Sequence, residues 1–88
     1  MLKGTTANGF TFEVADNLAD DWEIFKALSR IEENPIEVVG LIDKILGEKQ
    51  TKKLEAFVKK EYGYVSTKAM TESLKAIFEA LGEQGKNS

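Results

Sequence analysis

Near the start of the chain the apolar residues recur at every second position, with Phe10, Phe12 and Val14 alternating with Thr11 and Glu13. A period of two places one set of side chains on one face of a strand, and that apolar face must be covered. Leu2-Lys3-Gly4-Thr5-Thr6 lies upstream, and Asn8-Gly9 stands between the two extended segments. Both residues tolerate the positive φ of a type I′ turn, so the pattern predicts a β-hairpin. A two-stranded hairpin is marginal in water, which leaves helices to supply the cover.

From Asp16 onward the period changes to between three and four. The first helix is expected to open at Asp16 or Asn17, both capping residues, with Asp20, Asp21 and Glu23 at the positive end of its dipole. Its stripe reads Leu18, Trp22, Phe25, Leu28 and Ile31, with Trp22 and Phe25 set against the hairpin. Asn34-Pro35 separates it from a second helix with the stripe Ile36, Val39, Ile42, Ile45 and Leu46 and a stop at Gly47. A third, over residues 49–62, buries Leu54, Phe57 and Val58, with Tyr62 at its margin, and ends at Gly63. Ser66 then caps a fourth, Val65 packs on Met70 as a hydrophobic staple, and Met70, Leu74, Ile77, Phe78 and Leu81 carry the stripe to a stop at Gly82. The expected fold is α+β and mainly helical: an N-terminal β-hairpin packed on a bundle of about four short helices. Residues 1–82 form the single domain, and 83–88 a flexible polar tail without an apolar anchor.

Length and charge narrow the classes. A chain of 88 residues has material for one core only. No run approaches the ~18 apolar residues of a membrane span, and Met1-Leu2-Lys3-Gly4 leads into polar residues instead of a signal-peptide core, so no membrane partner is expected. Absence of cysteine removes disulfides and fits a reducing compartment. The net charge of −3 conceals a split: residues 1–46 hold nine acidic and four basic side chains, and 47–88 hold six and eight. Overall acidity argues against nucleic acid as a partner, while the complementary halves suit helix pairing or head-to-tail self-association.

The chemical inventory points away from catalysis. With neither histidine nor cysteine, the usual metal ligands and the commonest general base are missing, and no phosphate-cradling loop or Ser-x-x-Lys arrangement occurs. No catalytic residue, metal or cofactor is expected. Asp16, Asp20, Asp21 and Glu23 read either as a hard-cation cluster or as caps on a solvated face, the latter being the ordinary role of acids in a first turn. Lys49, Lys53 and Lys60 share one helix face with Lys52 and Lys59 on its flank, either a docking stripe for an acidic partner or plain solvated surface. The aromatic residues match core spacing throughout. Val38 and Leu41 fall outside the second stripe, which makes them candidates for a partner patch.

One resemblance rests on order along the chain. The segment Asn8-Gly9-Phe10-Thr11-Phe12-Glu13-Val14, then the acidic helix around Asp20-Asp21-Trp22-Glu23, then Leu46-Gly47-Glu48-Lys49-Gln50, resembles small tail assembly chaperones of tailed phages and prophages of Gram-positive bacteria. The likeness runs from about Gly9 to Ser88. It implies a non-enzymatic protein of the bacterial host cytoplasm that binds the tape measure protein, keeps it soluble and helps recruit tail tube protein. Such genes commonly make a longer product by a −1 frameshift, and Gly85-Lys86-Asn87 can be encoded by GGA-AAA-AAC, which contains a slippery heptamer. A regulatory or adaptor domain that binds one folded partner is the competing reading.

Overall fold

A computed structural model describes the backbone of residues 1–31 and 33–86, and the side chains of that range up to Gly82. Strands β1 (Leu2–Thr5) and β2 (Thr11–Val14) pair antiparallel, with Leu2 opposite Val14 and Gly4 opposite Phe12. The hairpin forms as expected, but its turn is of another kind. Among the described residues only glycines have positive φ, so Asn8 does not adopt type I′ geometry. Gly9 N–H donates to the Thr6 carbonyl at 2.9 Å with Gly9 at φ 98°, and Thr6 N–H donates to the Phe10 carbonyl at 2.9 Å. That makes a three-residue loop with its one left-handed position on glycine. The buried Thr6 hydroxyl locks it, accepting from Phe10 N–H at 3.1 Å and donating to the Asn8 side-chain oxygen.

Three helices follow: α1 (Trp22–Arg30), α2 (Glu37–Tyr62) and α3 (Thr67–Lys86). A single 3-10 turn, Leu18–Asp20, precedes α1, and the cap of α1 is Asp21, not Asp16 or Asn17. Asp21 Oδ1 accepts from Glu23 N–H at 3.0 Å and Ile24 N–H at 3.4 Å. Asp16 pairs instead with the N-terminal ammonium at 3.0 Å. At α3, Ser66 Oγ accepts from Ala69 N–H at 3.2 Å, which makes it the expected cap. Gly63, at φ 82°, closes α2 with its N–H on the Lys59 carbonyl at 2.8 Å. Gly82 does not stop α3, which continues to Lys86; Asn87 and Ser88, the end of the expected tail, lie outside the described residues.

The helices number three and not about four because the two expected on either side of Gly47 run on as one element, α2, with the expected stop present as a kink at Gly47. Its φ of 79° and ψ of 161° leave helical space for one residue, after which the helix resumes. This conformation is open essentially to glycine alone. The bend lets Gln50 reach β2. Glu13 N–H donates to Gln50 Oε1 at 2.7 Å, and Gln50 Nε2 donates to the Glu13 carbonyl at 2.6 Å and to the Leu46 carbonyl at 2.8 Å. One side-chain amide thus does for the outer edge of β2 what a third strand would do. Gln50→Leu should cost about 1–2 kcal/mol by stranding half-buried backbone groups. Gln50→Glu, which keeps the shape but turns a carboxylate on two carbonyls, should lower the urea midpoint at least as far.

The core is one cluster: Phe12, Val14, Val38, Ile42, Leu54, Leu74 and Ile77 are its most deeply buried members. β2 lies on α2 and β1 on α3, so the hairpin is covered by the two long helices and not by Trp22 and Phe25. Phe10 meets Phe57 edge-on at 5.7 Å, and Phe25 meets Phe78 of α3 edge-on at 5.5 Å. Trp22 is 74% exposed. The buried face of α1 is Ile24 and Ile31, with Ala27 and Leu28 packed against the cluster. Val38 and Leu41, at 1% and 5% exposure, belong to the core and not to a surface patch, while Ile36 and Val39 of the expected stripe stand out in solvent.

Candidate interaction surface

Both corrected stripes have one cause. A helix turns about 100° per residue, so steps of three fall about 60° short of a full turn, and three such steps cross to the opposite side. Trp22 and Ile31, or Ile36 and Ile45, therefore cannot share a face. Ile24, Ala27, Leu28 and Ile31, and likewise Val38, Leu41, Ile42 and Ile45, keep the alternation of three and four that holds one face. The apolar residues left outside are Trp22, Ile36 and Val39, with Phe25, Tyr62, Tyr64 and Val65 partly exposed.

The lysine candidates are all on the surface. Lys49, Lys52, Lys53 and Lys60 are exposed on α2, and Lys52 Nζ lies 3.4 Å from Glu48 Oε1 one turn earlier. Both ends of that pair are largely solvated, so it contributes about 0–1 kcal/mol. The acids before α1 divide between the roles already described, Asp21 as cap and Asp16 on the N-terminus. Among the described residues no group of three or more acids is placed to hold a metal ion.

A more specific feature is lined by residues from both sides of the break in α2. Val38, Val39 and Ile42 from before Gly47, Thr51 and Glu55 from after it, and Val65, Thr67 and Met70 from the start of α3 enclose a mainly apolar cleft of about 110 Å³. Val65 and Met70, the residues of the expected staple on either side of the Ser66 cap, both contribute to it. In its wall the Thr51 hydroxyl is buried and has no hydrogen-bond partner, the only such side-chain group among the described residues. The reason is local. In α3, Thr71 and Ser73 donate to carbonyls four residues back, at 2.9 and 2.8 Å. Thr51 has Gly47 four residues back, and the ψ of 161° there turns the peptide out of the helix. No charged side chain other than Glu55 lines the cleft, and Glu55 has no ion pair among the described residues.

Comparison with known proteins adds no identity: no protein-family model, curated protein or solved structure matches this chain. Among the described residues no helix is long and apolar enough to cross a membrane.

Proposed function

We propose that the protein is a non-enzymatic phage tail assembly chaperone, which holds the tape measure protein soluble and helps bring tail tube subunits to it. The observation that supports this reading best is an excess of apolar side chains over what one small core takes in. Trp22, Ile36 and Val39 are each more than two-thirds exposed on an acidic domain. Small exposed apolar surfaces on a charged domain suit reversible cover of the apolar stripes of a helical client. The order of segments described above supports the same reading.

Co-expression with a tape measure protein from a tailed phage of Gram-positive bacteria tests it. The client is expected to move to the soluble fraction and to co-purify; a client that stays insoluble at equal expression defeats the reading. A long helical client would take many copies of so small a domain, and the acidic first half and basic second half suit contacts between neighbouring copies. Light scattering should then report association that weakens as salt rises from low to high ionic strength. A monomer at every salt and protein concentration tested would sink this part of the proposal.

A further inference from the structure

The cleft at the bend of α2 combines three incomplete features. Its walls are aliphatic, with Val39 68% and Val65 42% exposed at its margin, and Ile36, 76% exposed, stands one turn before Val39 on α2. Its buried hydroxyl, that of Thr51, lacks a partner. Its one lining charge, Glu55, makes no ion pair among the described residues, with Lys52 and Lys59 one turn away on α2. A buried hydroxyl without a partner is unfavourable in the free protein, and an occupant offering a polar atom there removes that penalty. Apolar cavities of roughly this size, around 150 Å³, accept single apolar groups.

We propose that the cleft seats one aliphatic side chain of a cationic amphipathic helix. A lysine or arginine beside that side chain pairs with Glu55, and a polar side chain one turn away hydrogen-bonds the Thr51 hydroxyl. Charge decides the occupant. The most exposed aromatic of a second copy, Trp22, is collared by Asp20, Asp21 and Glu23, and would bring carboxylates onto Glu55. A basic helix brings the complementary sign to Glu55, the one charge that lines the cleft. The site rests on the client-holding reading only in taking the client to be helical.

The probes are a synthetic amphipathic helix of leucine and lysine and the same peptide with glutamate for lysine, each titrated into the isotope-labelled full chain. With the lysine peptide, amide shifts should cluster at Val39, Thr51, Val65 and Met70, and binding should be roughly tenfold tighter than for the glutamate peptide. Val39→Asp, at an exposed position, should weaken the lysine peptide about tenfold, and Glu55→Lys should invert the preference. Thr51→Val separates a docking role from a structural one: it should raise the melting temperature of the free chain while weakening peptide binding by a factor of roughly three. Shifts centred on Trp22 and Phe25, an unchanged charge preference in Glu55→Lys, or a fall in melting temperature on Thr51→Val would each overturn the site. The function is judged separately. If Val39→Asp solubilises a co-expressed tape measure protein as well as the native chain does, the site fails and the chaperone stands; if the peptide docks in the cleft while that client stays insoluble, the reverse holds.

Discussion

Phe12→Ala is expected to lower the unfolding free energy by about 3–5 kcal/mol, and Trp22→Ala to change it by no more than about 0.5. Both aromatics belong to the same expected hairpin-and-helix core when the sequence is read alone, so the contrast is a direct test of the phase of α1. Phe12 is 1% exposed at the centre of β2, where α2 covers it, and its removal leaves a void that a small domain cannot close. A chain of this size has roughly 5–10 kcal/mol of stability in all, so the variant should be near half unfolded in mild urea. Trp22 is in the first turn of α1 with its ring in solvent, and its loss removes little buried area. Urea denaturation of the two variants decides the point; equal losses would place Trp22 back in the core.

Gly47→Val and Gly40→Ala should move stability in opposite directions. At φ 79° and ψ 161°, a β-branched side chain on residue 47 meets its own backbone, and the cost is expected at the upper end of about 1–3 kcal/mol. Space is not the cause, since a Cβ at Gly47 would have nothing within 4 Å. If α2 relieves the strain by straightening, Gln50 leaves the edge of β2, so the hairpin amides should lose hydrogen-exchange protection along with global stability. Gly40 lies in regular helix, exposed, also with nothing within 4 Å, and alanine there should stabilise by about 0.5–1 kcal/mol. Thermal melts of the pair give the signs. A neutral Gly47→Val would mean that α2 tolerates a continuous helix and that the bend is not a built feature.

Much of the fold is legible along the chain because its signals are local. Alternation at Phe10, Phe12 and Val14, a glycine in the turn, Ser66 as cap and Gly63 as stop each depend on neighbours within a turn or two, and all are found in the structure. The errors at Trp22, Ile36, Val38 and Leu41 are of phase, and the rule of three-and-four spacing contains the correction. Gln50 is different in kind. Its partner Glu13 is 37 residues away, and nothing near a glutamine in a helix signals a strand edge. The cleft is illegible for the same reason, since it requires the direction of a single peptide at Gly47 and the approach of α3.

The sequence by itself determined that this is one small, acidic, mainly helical domain opening on a hairpin, and where its turns and most of its helix ends lie. Steric preference, capping and apolar period act over a few residues, and those can be read in order. The tertiary structure alone decided that α2 and α3 cover the hairpin, that α2 resumes beyond the kink at Gly47, and that the Thr51 hydroxyl is buried beside that kink without a hydrogen-bond partner among the described residues. Those outcomes depend on which faces meet across distant segments, and a periodic stripe states that a face is buried without stating against what.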